Sequence, residues 1–228
     1  MAVTDEAIVK IKQMLLAGDL RPGDRLPPEK ELSERLGLSR SSLREAVKAL
    51  EVIRVLDVRR GDGTYVTSLE PRLLLAAIGF VTDLHQDGAI LEMFAVRRIL
   101  EPAAAALATQ RAGAADVERL RELVSQTAPD APVEDLIEHD VAFHRAVADL
   151  SGNGYLSGIL EQLSSATLRA RVWRGVLEAG AVTRTLDEHR GIVAAIAASD
   201  PALAHALATA HIAGVEQWLE RAVARTPS

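Results

Sequence analysis

Residues 27–66 constrain the fold more than any other stretch, because they set a short apolar-faced segment, a glycine, a capped second segment and a glycine turn in immediate succession. Pro28 stands where a helix start needs no N–H, and Leu32 and Leu36 lie one turn apart on a single face. Gly37 supplies the turn. Ser39 is placed to cap a second helix whose Leu43, Ala46, Val47 and Leu50 recur at the spacing of a core-facing stripe. The other face is basic, with Arg40, Arg44 and Lys48 every four residues and the hydroxyls of Ser41 and Ser42 beside the helix N-terminus. Free backbone N–H groups at such an end hold phosphate. Val55–Val58 and Thr64–Val66 then read as two strands around Gly61-Asp62-Gly63, a hairpin carrying Arg59 and Arg60. A capped basic helix followed at once by a basic hairpin predicts a winged helix-turn-helix that grips a duplex. The bland alternative is a solvated charged face laced to Glu45 and Glu51, and the hairpin argues against it.

The net charge of -6 seems at odds with a nucleic-acid partner until its distribution is considered. Arg40, Arg44, Lys48, Arg54, Arg59 and Arg60 outnumber Glu45, Glu51 and Asp57 in the recognition segment, so a locally positive surface rides on an acidic chain. The acidic remainder weakens non-specific DNA binding and leaves discrimination to local contacts.

A first helix is expected over residues 4–17, with Ile8, Ile11 and Leu15 on one side. Ser68-Leu69-Glu70-Pro71 has the chemistry of a linker, which gives domains at 1–67 and 72–228 joined by residues 68–71. Beyond Pro71 no strand alternation occurs, so the second domain is expected to be all-α, with helices at 71–84, 89–111, 114–126, 133–151, 155–179, 184–198 and 201–225. Aromatic residues make up only 3%, so these helices must pack through Ala, Leu, Val and Ile. No apolar run reaches the ~20 residues of a membrane span, and no signal peptide pattern opens the chain, which predicts a cytoplasmic protein. Cys 0 excludes disulfides, thiolate zinc sites and cysteine nucleophiles.

The second domain carries its own signal. Asp140 and His144, four residues apart, project from one face of a helix, and His189 and His211 lie on the last two expected helices. A bundle that joins those three helices makes a site of three imidazoles and a carboxylate, suited to zinc or another first-row divalent metal. The same Asp-x-x-x-His spacing also serves ordinary hydrogen bonds, and spacing alone does not choose. His85, His139 and His205 have no such partner spacing and are expected to be ordinary solvated or core histidines.

These residues carry a family resemblance. Residues 5–66 resemble the winged helix-turn-helix of the GntR family of bacterial transcription regulators, through Pro22-Gly23-Asp24-Arg25-Leu26-Pro27, Leu36-Gly37-Leu38-Ser39-Arg40, Leu43-Arg44-Glu45-Ala46 and Gly61-Asp62-Gly63-Thr64-Tyr65-Val66. Residues 72–225 resemble the FCD ligand-binding domain of the FadR-type subfamily, through Val96-Arg97-Arg98-Ile99-Leu100-Glu101-Pro102, Asp140-Val141-Ala142-Phe143-His144, Ser151-Gly152-Asn153, Glu188-His189 and His211-Ile212. The resemblance implies a homodimeric regulator, a repressor before an activator, on a pseudo-palindromic double-stranded operator. Arg40 and Arg44 would read bases or near-bases, while Lys30, Ser39, Ser41, Arg60 and Gly61 position phosphates. It also implies that Asp140, His144, His189 and His211 bind the metal and that Arg97 holds a small carboxylate effector; the other reading of Arg97 is an ion pair with Glu101 one turn on. Arg169, Arg171 and Arg174 are further candidates that no motif ranks. The chain departs from the family at Pro28, Lys30 and Arg54, where serine, arginine and glycine are frequent. Arg54 in place of a glycine implies a different helix ending or local strain. The competing functions are a metal-dependent enzyme acting on a small carboxylate, for which no general base is evident, and a DNA-binding protein with no effector.

Overall fold

The computed structural model describes residues 3–74 and 90–224, and the chain divides into two units, Met1–Ala77 and Ile78–Ser228. In the first unit, α1 (Val3–Ala17), α2 (Glu29–Leu36) and α3 (Arg40–Val52) precede a hairpin of β1 (Leu56–Arg59) and β2 (Gly63–Val66), with a short α4 (Pro71–Leu74). Ala7, Ile11 and Met14 of α1 bury against Leu32 of α2 and against Leu43, Ala46, Val47 and Leu50 of α3, and Leu56 and Val66 close the core from the hairpin. Gly37 ends α2 at φ 64°, a left-handed conformation that costs glycine nothing, and its N–H reaches back to Glu34. Ser39 caps α3, its Oγ accepting from the Ser42 N–H at 3.1 Å. The strands pair antiparallel from Leu56↔Val66 to Arg59↔Gly63, and Leu26 N–H donates to the Thr64 carbonyl at 2.8 Å, so the segment before α2 borders β2.

The first strand starts one residue later than Val55, and the end of α3 explains why. Arg54 N–H bonds Glu51 O at 3.0 Å and Val55 N–H bonds Leu50 O at 2.9 Å, the paired bonds of a Schellman ending, which commit Val55 to the helix cap. Arg54 holds φ 60° in that motif, so the strain expected from a side chain at this position is present. Arg54→Gly is therefore expected to stabilise the first unit by about 1 kcal/mol. Slower hydrogen exchange of the Leu43 and Ala46 amides, by about fivefold, would show it; unchanged exchange would mean the strain is relieved elsewhere.

The second unit contains, among the described residues, only helices: α5 (Ile90–Ala108), α6 (Ala114–Ser125), α7 (Val133–Leu150), α8 (Gly154–Ala166), α9 (Leu168–Leu177), α10 (Ala181–Ala197) and α11 (Pro201–Ala224). Small side chains let them approach closely: Ala105 and Ala108 of α5 share one core with Ala204 and Ala208 of α11, Phe143 and Val147 of α7, and Leu186 and Ile192 of α10. Pro102 lies within α5, which runs through it as one element. Of the helix expected at 71–84, the described part is Pro71–Leu74; the remainder, and His85, lie outside the described residues.

The helix expected at 155–179 is interrupted at Thr167. Its Oγ1 donates to the Leu163 carbonyl at 2.8 Å, and its backbone sits at φ -92°, ψ 4°, so α8 ends and α9 restarts one residue on. A threonine bonded back to the carbonyl four residues earlier bends a helix, while the apolar period continues across it and hides the break from the sequence. The stripe that α7 buries, Leu136, His139, Asp140, Phe143 and Val147, includes two polar side chains. Placing them in a core demands partners.

Candidate DNA-reading face and candidate metal centre

On the first unit, Arg40, Ser41 and Arg44 are exposed along α3, Lys30 is exposed on α2, and Arg60 and Gly61 form the exposed tip of the hairpin. The tip turns because Asp62 N–H bonds Arg59 O at 3.0 Å with Gly61 at φ 77°, the conformation a type II turn needs at its third residue. Between α3, the start of α2 and the hairpin lies a cleft of about 570 Å³ that Glu29, Val47, Val58 and Arg60 help to line. Arg40, Arg60 and Lys30 have no side-chain partner among the described residues. Arg44 does: its Nη2 donates to Glu29 Oε2 at 3.0 Å, a contact between α3 and the first turn of α2. Ser39 is committed to its capping bond and meets the Ser41 hydroxyl at 2.9 Å. At the side of the hairpin Arg59 pairs with Asp57 at 2.9 Å and lies over the Tyr65 ring at 4.3 Å, so it is held back from the tip that Arg60 occupies.

In the second unit, α7, α10 and α11 bring Asp140, His144, His189 and His211 together, with one donor atom from each lying within 4.8 Å of the others. His144 Nε2 is 3.2 Å and His189 Nε2 is 3.4 Å from His211 Nε2, and Asp140 Oδ1 lies 3.5 Å from His144 Nε2 and 3.7 Å from His189 Nε2. Three rings thus turn the same nitrogen inward. Each outer nitrogen has a partner of its own, which orients the ring. Glu101 of α5 accepts from His144 Nδ1 at 2.6 Å, and Glu188 of α10 accepts from His211 Nδ1 at 2.7 Å.

The third ring is oriented through a second histidine. His139 Nδ1 faces the Leu123 carbonyl at 3.2 Å, which can only accept, so that nitrogen carries the proton. His139 is held to its neutral form by burial, and its Nε2 therefore accepts from His189 Nδ1–H at 2.9 Å. His189 Nε2 is left with a lone pair directed at the cluster. Phe143 stacks on the His189 ring at 3.9 Å and fixes its plane. His139, expected to be an ordinary solvated or core histidine, is the outer partner of a candidate ligand; His205 is exposed.

The charges around the cluster are organised by two buried arginines. Arg171 of α9 donates to Asp140 Oδ2 and to the Ser164 hydroxyl at 3.0 Å, while Arg97 of α5 donates to Glu101 at 2.6 Å and to the Thr167 hydroxyl at 2.6 Å. The ion pair between Arg97 and Glu101, one of the two readings of Arg97, is therefore present. Burial pushes the Asp140 carboxyl up, but Arg171 outweighs it and holds the group well below the usual carboxylate range. Burial pushes His144 down, yet Glu101 and Asp140 raise it to about 9, so a proton occupies the place a cation would take. Burial, with His211 and His144 alongside, keeps His189 well below the ordinary histidine value. Two buried donors, Arg97 Nη2 and Arg171 Nε, have no hydrogen-bond partner. Of the three unranked arginines, Arg171 touches the cluster, Arg174 pairs with Glu178 at 2.6 Å beside it, and Arg169 is exposed. The donor set fits a divalent ion: nitrogen and oxygen ligands only, each oriented from behind.

Comparison with known proteins assigns a family to each unit. Residues 4–66 match the model of the bacterial regulatory proteins of the gntR family, and residues 92–214 match the FCD domain. The chain is 31% identical over 212 residues to the HTH-type transcriptional regulator LutR of Bacillus subtilis, covering 90% of this chain and 96% of that protein. It is 29% identical to the galactonate operon transcriptional repressor of Escherichia coli, covering 95% and 96%. The structure of a Streptococcus agalactiae GntR protein superposes with a TM-score of 0.71 at 27% identity, over 94% of this chain and 99% of that one. Among the described residues no helix is long and apolar enough to cross a membrane. With its winged helix-turn-helix and its FCD domain, the chain belongs to the GntR family of bacterial regulators and is a transcription regulator, not an enzyme.

Proposed function

We infer that the protein is a cytoplasmic, homodimeric repressor that binds a pseudo-palindromic operator and releases it in response to a small carboxylate held at a metal in the second domain. The observation that carries this reading is the inward convergence of three Nε2 atoms and Asp140, each ring with its outer nitrogen already partnered. Such a set would take a divalent ion by drawing its donor atoms slightly inward and giving up the His144 proton, with zinc the first choice for its donors. Bound there, the ion would supply Lewis acidity that attracts a carboxylate oxygen into the open positions of its shell. Arg97 Nη2 and Arg171 Nε, buried and unpartnered, are the donors for the remaining oxygen.

At the other end, Arg40 and Arg44 read bases, and Lys30, Ser39, Ser41, Arg60 and Gly61 position the backbone, in a domain of residues 1–67 joined to 72–228 by the linker 68–71. Two-fold related recognition helices would meet matching half-sites. The repressor role is supported by the name of the galactonate operon relative. The effector controls DNA affinity only by binding the DNA-competent and incompetent states unequally.

A thermal-shift screen of metal-loaded protein against small carboxylic acids tests the reading. A true effector at ~100 times its Kd is expected to raise the second domain's midpoint by roughly 5–10 °C, and the shift should vanish after metal removal. An equal shift in chelated protein would detach the acid from the metal.

A further inference from the structure

The hairpin tip that presents Arg60 projects beyond its own ladder. β1 and β2 pair as far as Arg59↔Gly63, so residues 60–62 lie outside the pairing. On the other side of β2 the segment before α2 runs antiparallel to it. Val66 N–H donates to the Asp24 carbonyl at 2.9 Å, Leu26 N–H donates to the Thr64 carbonyl at 2.8 Å, and Arg25 bridges to Tyr65 between them. This third strand-like piece also stops short of the tip.

The register gives the reason. Antiparallel bonds recur at every second residue of each strand, so the donor after Leu26 would be residue 28 and its acceptor the carbonyl of Asp62, two before Thr64. Residue 28 is proline and has no N–H to give. The Asp62 carbonyl is met instead by the side chain of Arg25, whose Nη2 donates to it. The guanidinium lies where a side chain at residue 63 would stand, since a Cβ on Gly63 would be 2.5 Å from Arg25 Nε. Gly63 also holds φ 149°, which favours glycine, so one residue provides both the turn and the room beside it. Asp62 is held through its side chain as well, Oδ1 accepting from the Tyr65 hydroxyl at 3.1 Å.

We propose that Arg25 is a positioning residue for DNA binding: its guanidinium replaces the ladder donor that Pro28 lacks and holds the hairpin tip in the conformation that presents Arg60 to the DNA backbone. The proposal rests on the reading above of Arg60 as a backbone contact and adds to it the residue that fixes it. A tip ordered beforehand removes an ordering cost from association. Arg25 is itself exposed and charged, so a phosphate contact of its own is the competing role. The two roles differ in coupling. A positioning residue acts through Arg60 and matters little once Arg60 is gone, whereas separate phosphate contacts add.

The test uses the full chain and a duplex that the wild type selects from a random pool, with affinities measured over a salt series for Arg25→Ala, Arg60→Ala and the double variant. Arg25→Ala is expected to weaken binding by about three- to tenfold with base preference unchanged, and to add less than about twofold to Arg60→Ala. In the DNA-free protein it should lower the backbone order parameters of Gly61 and Asp62 from about 0.85 to below about 0.6, while hydrogen exchange of the Leu43 and Ala46 amides stays as in wild type. A phosphate contact by Arg25 would leave those order parameters unmoved. It would also make the losses of the double variant multiply and lower the salt slope by about one more. Either result overturns the proposal and leaves the phosphate reading of Arg60 standing. Wild-type affinity in Arg25→Ala overturns it too, as does faster exchange of the Leu43 and Ala46 amides, which would place the loss in folding. Arg60→Ala binding as tightly as wild type, with the same salt slope, overturns the phosphate reading and this proposal with it.

Discussion

Protein purified without chelator is expected to carry stoichiometric divalent metal, and the His144→Ala, His189→Ala double variant to carry almost none by elemental analysis. The two histidines come from different helices, α7 and α10, and removing them leaves Asp140 and His211 as an incomplete pair. Loss of an outer hydrogen-bond partner typically weakens metal binding 10–100-fold, and loss of two inner donors should exceed the upper figure. The substitutions also remove one partner each from Glu101, which keeps Arg97, and from His139, which keeps the Leu123 carbonyl, so a fall in stability is expected as well. Far-UV circular dichroism separates the two effects, and His211→Gln, which keeps polar bulk in the core, provides a second variant. No metal in the wild-type protein, or equal occupancy in the double variant, would sink the assignment.

The second large effect concerns DNA. On a duplex selected by the wild-type protein from a random pool, Arg44→Ala is expected to lose roughly 5- to 150-fold in affinity and to flatten the base preference at one position of each half-site. Arg44 would reach that role from its contact with Glu29, an exposed pair that water and salt screen, so releasing it costs little. Arg60→Ala, at the hairpin tip, should instead reduce the slope of log affinity against log salt by about 1 while leaving the base preference intact. Wild-type affinity with an unchanged preference in Arg44→Ala would remove Arg44 from the recognition set.

Local periodicity made the helix-turn-helix legible. The Ser39 cap, the Gly37 turn and the stripe from Leu43 to Leu50 are properties of adjacent residues, and the structure places each of them within one element or its cap. The four-residue step from Asp140 to His144 was equally readable, as was the one from Arg97 to Glu101. What could not be read depends on how helices pack. Glu188 stands next to His189 in the chain yet bonds His211 on the following helix, and His139 bonds His189 fifty positions on. No spacing rule links such pairs. Arg171 was not separable from Arg169 and Arg174 because which of three neighbouring arginines touches Asp140 depends on where α9 restarts. That point is set by a hydroxyl of Thr167, not by an apolar pattern.

The charge balance of the cluster carries a consequence of its own. Asp140, Glu101 and Glu188 contribute three negative charges, Arg97 and Arg171 two positive, and the imidazoles are neutral once their inner nitrogens serve as donors. The proton that His144 carries without metal makes the empty set neutral, and a divalent ion that displaces it leaves one positive charge, in surroundings where an uncompensated charge is expensive. A monoanion restores neutrality and a dianion overshoots it. On the effector reading proposed above, the cluster would act as a valence filter, ranking acids by their charge before any contact with their carbon skeleton is made.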